Sequence, residues 1–119
     1  MTADIHQRKA DHLDLCATDA VQFRERTTLL EHVRLVHQSL PDLSLDDLDL
    51  SVELLGKRLC APIVIAVMTG GHERAAEINR GLASIANERG YGFGLGSQRA
   101  MHRDKGTTWT FAVRDVAKD

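Results

Sequence analysis

Only two cysteines occur in this chain, Cys16 and Cys60, far apart and in no C-x-x-C spacing. That scarcity argues against a disulfide scaffold and for a reducing compartment, with both thiols expected to be buried. No apolar run approaches the roughly 18 residues of a membrane span. The N-terminal stretch MTADIHQRKADH also lacks the apolar centre of a secretory signal, so a cytoplasmic protein without a membrane partner is expected. Charge of either sign is not in excess: Lys and Arg number 15 against 17 Asp and Glu. With a net charge of -2 there is no overall field to draw in nucleic acid, and any anion must be held by a local cluster. The six histidines, His6, His12, His32, His37, His72 and His102, show no H-E-x-x-H or comparable spacing. They are expected at the surface, with no metal site among them.

What is present fits one ordinary domain of 119 residues, 43% of them hydrophobic, enough for a modest core. There is no internal repeat. Residues 1 to about 19 are polar and read as a loop or short helix. From Leu29 to Leu40 the apolar positions Leu29, Leu30, Val33, Val36 and Leu40 follow helical spacing, although the β-branched content allows a strand in part, and Pro41 ends the element. LDLSVELLGKRLCAP alternates around Gly56-Lys57 as a hairpin with a two-residue turn. IVIAVM, from Ile63 to Met68, is a continuous apolar run, the pattern of a strand buried on both faces.

After this strand, Ala75, Ile78, Leu82, Ile85 and Ala86 form a helical stripe, with Gly90 at the position of a C-terminal cap. GYGFGLGSQRA follows, with glycine at every second position. The dinucleotide fingerprint G-x-G-x-x-G fails there, because its third glycine falls on Leu95, Ser97 or Arg99. A period-two strand stripped of side chains on one face remains, open to close approach. Strand, turn, helix and strand make a βαβ unit with a right-handed crossover. Thr69 and the triplet Ser97-Gln98-Arg99 then open on the C-terminal strand edge, where α/β proteins bind ligands. On shape alone Met68 to Gly71 is either a tight turn or a backbone cradle for a cofactor, and Arg8-Lys9 reads as a solvated pair.

Six segments carry a more specific signal: QRKADH, LEHVRLVHQSLP, DLDLSVELLGKRLCAPIVIAVMTGG, EINRGLASIANERG, GFGLGSQRA and TFAVRDVA. In order and spacing they resemble the N-terminal part of the type 2 isopentenyl-diphosphate isomerases. The resemblance implies an α/β fold of the TIM (β/α)8 barrel type, of which this chain would hold an N-terminal extension and the first two barrel strands. It implies FMN, Mg2+ and NADPH as cofactors, and isopentenyl and dimethylallyl diphosphate as substrate and product. Val67, Met68, Thr69 and Ser97 would contact the flavin. Arg8, Lys9, His12, Ser97, Gln98 and Arg99 would contact the substrate, the first three by folding over the diphosphate. No general acid or base and no metal ligand is expected among these residues, because the family's chemistry is carried by the flavin.

The resemblance also implies what lies elsewhere. A TIM barrel takes about 250 residues, so an incomplete barrel is expected here. Its expected organisation is one domain over 1–119, with the extension and hairpin in 1–58 and the first βα units in 59–119. A homo-oligomer is expected of the full-length enzyme. Lys118 stands where the family usually has proline after VA. Two other readings stay open: a noncatalytic fragment or interaction module that pairs its open edges with another chain, and another FMN-dependent TIM-barrel oxidoreductase.

Overall fold

A computed structural model of the chain describes residues 5–66 and 69–118. The centre of the molecule is a βαβ unit. Strand β3 (Val64–Ala66) runs parallel to β4 (Gly92–Gly94), in the register Val64 to Gly92, Ile65 to Phe93 and Ala66 to Gly94. Helix α2 (Glu73–Arg89) forms the crossover between them. Ahead of this unit stand α1 (Ile5–Cys16) and an antiparallel hairpin of β1 (Val52–Leu54) and β2 (Lys57–Leu59). Behind it come α3 (Arg99–Arg103) and a 3₁₀ segment, Lys105–Phe111.

Local chemistry explains the ends of α2. At its start the His72 imidazole Nδ1 accepts the Arg74 backbone N–H at 3.2 Å, satisfying one of the helix's orphan donors. At its end Gly90 takes φ 65°, the left-handed region that a C-terminal cap needs, and the Tyr91 N–H reaches back to the Ala86 carbonyl at 2.9 Å. A methyl group at Gly90 would also overlap the Cys60 sulfur, so the cap packs directly on the end of the hairpin.

The buried face of α2 differs from the expected stripe. Ala75, Ala76, Asn79, Ala83 and Ala86 are buried, whereas Ile78 and Ile85 stay 38% and 48% exposed. At 100° per residue the isoleucine stripe lies about 120° around the helix from the buried alanines. Alanine lets the helix axis approach the strands and the 3₁₀ segment closely, and Phe111 and Val113 supply the larger side chains of that core.

Three further expectations need correction. Leu29 to Leu40 forms neither a helix nor a strand: a single 3₁₀ turn, Leu30–His32, is followed by irregular backbone, with Leu35, Val36 and Leu40 about nine-tenths exposed. Nothing among the described residues packs against that apolar spacing, so periodicity alone does not hold a helix together. The hairpin turn is Leu55-Gly56, one residue earlier than expected, with φ 52° and 74° at its two positions. Cys16 and Cys60 are free and exposed rather than buried.

The strand Ile63–Met68 is found over Val64–Ala66, but it is not covered on both faces, since Val64 remains 52% exposed. The same openness shows in the radius of gyration, 18.9 Å. A compact domain of this length would have about 13.5 Å. Among the described residues no helix is long and apolar enough to cross a membrane.

The tail is tied back by a two-pronged ion pair. Arg80 Nη1 and Nη2 donate to the Asp115 carboxylate at 2.8 and 2.6 Å, joining residues after Phe111 to the exposed side of α2. The Arg80 hydrogen bonds hold the Asp115 carboxyl below its ordinary value, and the carboxylate raises Arg80 in turn. A depressed carboxyl contributes stability that is present above its unfolded value and is lost as pH falls through its folded one. Asp115→Asn should therefore destabilise the chain near neutrality, and the difference from wild type should close below about pH 4. Denaturant melts of both proteins across pH check this, and a difference that persists into strong acid would assign the role to packing.

Candidate functional site

The C-terminal ends of β3 and β4 share one edge of the molecule, and the residues there are brought together closely. Thr69, Gly70 and Gly71 follow β3, while Ser97, Gln98 and Arg99 follow β4 and lead into α3. Gly71 packs directly on the first turn of α3, where a Cβ would stand 2.7 Å from the Ala100 methyl carbon. A Cβ on Gly70 would overlap the Phe111 ring. Both glycines therefore serve close packing of the turn on α3 and the 3₁₀ segment. Val67 and Met68 lie outside the described residues.

Buried hydrogen bonds fix the turn. The Gly71 N–H donates to the Thr110 hydroxyl at 2.8 Å, and that hydroxyl donates to the Thr107 carbonyl at 2.7 Å. Asn79, fully buried on α2, donates through Nδ2 to the Thr110 carbonyl at 3.0 Å and to the Thr69 carbonyl at 3.4 Å. Neither Asn79 nor Thr110 was singled out from the sequence. A signal existed, since Asn79 occupies the place of an alanine in the series Ala75, Asn79, Ala83 and Ala86. A polar side chain on such a face must find partners.

Two features fit the edge of a flat, hydrogen-bonding ring such as the flavin that the resemblance implies. The Thr69 hydroxyl oxygen is buried with no protein partner, an unusual and costly state for a polar atom. At Gly94 the strand is stripped bare: a Cβ there would meet nothing nearer than the Ile65 carbonyl oxygen, at 3.8 Å. Gly92 differs, because a Cβ there would stand 2.9 Å from a Val64 methyl, so its smallness serves strand packing.

The triplet is exposed at all three positions, and Ser97 Oγ is only weakly engaged, accepting the Arg99 N–H at 3.5 Å. Helix α1 carries Arg8, Lys9 and His12, with Arg8 and His12 exposed and Lys9 half-buried. It is tethered to the first turn of α2 by Arg74 Nη1 on Asp14 at 2.6 Å, which draws the N-terminal residues toward the strand end that bears the glycine turn. Among the described residues no hydrogen bond or ion pair joins Arg8, Lys9 or His12 to the turn or the triplet.

A groove of about 870 Å³ runs along the hairpin and β4, lined by Leu54, Leu59, Val64, Tyr91, Phe93 and Leu95. The end of α2 and the tail residues Arg114, Ala117 and Lys118 complete its walls, and none of Thr69–Gly71 or Ser97–Arg99 lines it. Among the described residues no group of three or more His, Cys, Asp or Glu side chains is placed to hold a metal ion.

Comparison with known proteins gives this geometry a context. The sequence model of the FMN-dependent dehydrogenases matches residues 1–105. The isopentenyl-diphosphate delta-isomerase of Synechococcus sp. is 49% identical over 117 residues, 98% of this chain and 34% of that protein. Proteins of the same name are 47% identical in Methanosarcina mazei, over 95% of this chain, and 47% in Aeropyrum pernix, over 98%; in each the match takes in 31% of the relative. The chain spans about a third of the length of these curated relatives.

Proposed function

The chain belongs to the family of FMN-dependent dehydrogenases, and from that premise we propose that it provides the first strands of a TIM barrel catalysing the interconversion of isopentenyl and dimethylallyl diphosphate. The observation that carries this reading is the packing of the Thr69–Gly71 turn against the start of α3, which sets the flavin-side turn and the Ser97–Arg99 triplet side by side at one strand edge. Relatives at 43–49% identity bearing the isomerase name support it over the other activities of a flavin barrel.

The reaction moves a carbon–carbon double bond: a proton is added at one end of the allylic unit and another is lost from the other, with no net change in oxidation state. Reduced FMN supplies the proton-transfer chemistry when bound. The residues of this chain do the remaining work. Val67, Met68, Thr69 and Ser97 line the flavin, with the partnerless Thr69 hydroxyl available to one of its ring heteroatoms. Gln98 and Arg99, with Ser97, meet the substrate. Arg8, Lys9 and His12 on α1 fold over the diphosphate, excluding water and neutralising its charge. The same reading brings in Mg2+ to share the diphosphate charge and NADPH to reduce the flavin. It places the protein in the cytoplasm, as a homo-oligomer at full length.

The test uses a polypeptide extended to the length of the relatives, loaded with FMN and assayed for isomerisation of isopentenyl diphosphate. Arg8→Ala should raise KM by roughly 10- to 150-fold, the equivalent of about 1.5–3 kcal/mol for a lost charge-assisted hydrogen bond, with FMN affinity nearly unchanged. Unaltered substrate kinetics would return Arg8 to a solvated role. Net oxidation of a substrate in place of isomerisation would move the assignment to an oxidoreductase of the same family.

A further inference from the structure

We propose that Thr110, backed by Asn79, is a positioning residue that couples the Thr69–Gly71 turn to the Ser97–Arg99 triplet, so that the flavin side and the diphosphate side of the site move as one body. The inference rests on the isomerase reading of that site and adds to it two residues that touch neither flavin nor substrate.

The coupling is a closed loop of contacts. From Gly71 the backbone N–H reaches the Thr110 hydroxyl at 2.8 Å. A hydroxyl has one hydrogen, and here it goes to the Thr107 carbonyl at 2.7 Å, so a lone pair is left facing Gly71 and the polarity of the bond is fixed. Thr110 belongs to the 3₁₀ segment Lys105–Phe111, which is joined to α3 through the single residue Asp104. That residue's N–H closes α3 on the Ala100 carbonyl at 2.9 Å, while its carboxylate accepts the Gly106 N–H at 2.9 Å and opens the 3₁₀ segment. From α3 the loop returns to Gly71 through the Ala100 methyl. Asn79 adds the third side by holding the Thr110 and Thr69 carbonyls with one amide group.

This network is set deep, with Thr110 2% and Asn79 0% exposed. Buried hydrogen bonds inside a low-dielectric core rigidify what they join. A displacement of the turn relative to the triplet would misplace flavin against substrate without removing any contact to either. Misplacement of about 1 Å costs up to roughly a hundredfold in rate. The loss should therefore fall on kcat.

Thr110→Val keeps the shape and removes both the acceptor and the donor, whereas Thr110→Ser keeps the hydroxyl. In the FMN-loaded polypeptide extended to the relatives' length, at a temperature where every variant is folded, Thr110→Val should lower kcat by roughly tenfold to a hundredfold. KM for isopentenyl diphosphate should change far less, the visible circular dichroism of the bound flavin should change, and Thr110→Ser should restore both readouts. A lower melting temperature with flavin spectrum and kcat unchanged would reduce Thr110 to a stabilising residue, and failure of Thr110→Ser to restore them would overturn the hydrogen-bond argument. If wild type binds FMN but does not isomerise, the functional reading fails while the flavin spectrum still decides the coupling. Should Thr110→Val not fold, amide exchange in wild type decides it. The Gly71 amide should open together with those of His102 and Asp104 in α3, and much faster exchange at Gly71 would sink the proposal.

Discussion

Gly71→Ala is expected to destabilise the extended polypeptide by about 2–5 kcal/mol. Two costs combine at this position. Its backbone sits at φ 81°, in the left-handed region, where an L side chain carries a penalty of about 1–2 kcal/mol. The new Cβ would also stand 2.7 Å from the Ala100 methyl, and forcing apart a packed contact costs about 1–3 kcal/mol. Relief by movement would pull the Gly71 N–H away from Thr110, leaving a buried donor without a partner. Gly81→Ala is the control, since a Cβ there meets nothing within 4 Å and alanine favours a helix. Thermal or denaturant melts of the two variants should move in opposite directions. A Gly71→Ala protein that melts with wild type would show that the turn is not held against α3.

The same position shows which parts of the structure the sequence made legible. A glycine pair after an apolar strand announces a turn, and helix periodicity with Gly90 at its end announces α2; both depend on neighbours a few residues away, and both stand in the structure. Which face of α2 is buried depends instead on what arrives later in the chain. Hydrophobicity points to Ile78, Leu82 and Ile85, yet the 3₁₀ segment some 30 residues onward packs on the alanines and on Asn79. The apolar spacing from Leu29 to Leu40 misleads for a related reason: it needs a surface to pack against, and none is present among the described residues. For the candidate site, the juxtaposition of turn and triplet follows from the handedness of a βαβ unit, whereas the reason for it, Gly71 on Ala100 and the Thr110 hydroxyl on Gly71, is a tertiary contact between residues about 30 to 40 apart. The approach of Arg8, Lys9 and His12 to a diphosphate came from the resemblance alone, and the described structure carries only the tether at Asp14 and Arg74.

Asn79→Ala should cost about 2–4 kcal/mol, and Asn79→Asp more, an order that identifies what the side chain contributes. Alanine is a good helix former and would match the neighbouring face, so by propensity the substitution is favourable. Against this, removing Nδ2 strands the Thr110 carbonyl, bonded at 3.0 Å, and the Thr69 carbonyl, bonded at 3.4 Å. Each buried acceptor left without a partner costs about 1–3 kcal/mol, the shorter bond accounting for the larger share. The residue is not there for its oxygen: Asn79 Oδ1 is itself buried without a partner, so the amide is retained in spite of one unsatisfied atom. Asn79→Asp keeps the volume and replaces the donor by a second acceptor facing two carbonyls, which adds repulsion and a buried charge to the loss of both bonds. Trp109, the single tryptophan, is next to Thr110 and reports the event directly. In both variants its fluorescence should show the 3₁₀ segment leaving α2 before the helix itself melts by circular dichroism. If Asn79→Asp proved as stable as wild type, the two carbonyls would not depend on Asn79, and the turn would have to be held by Gly71 and Thr110 alone.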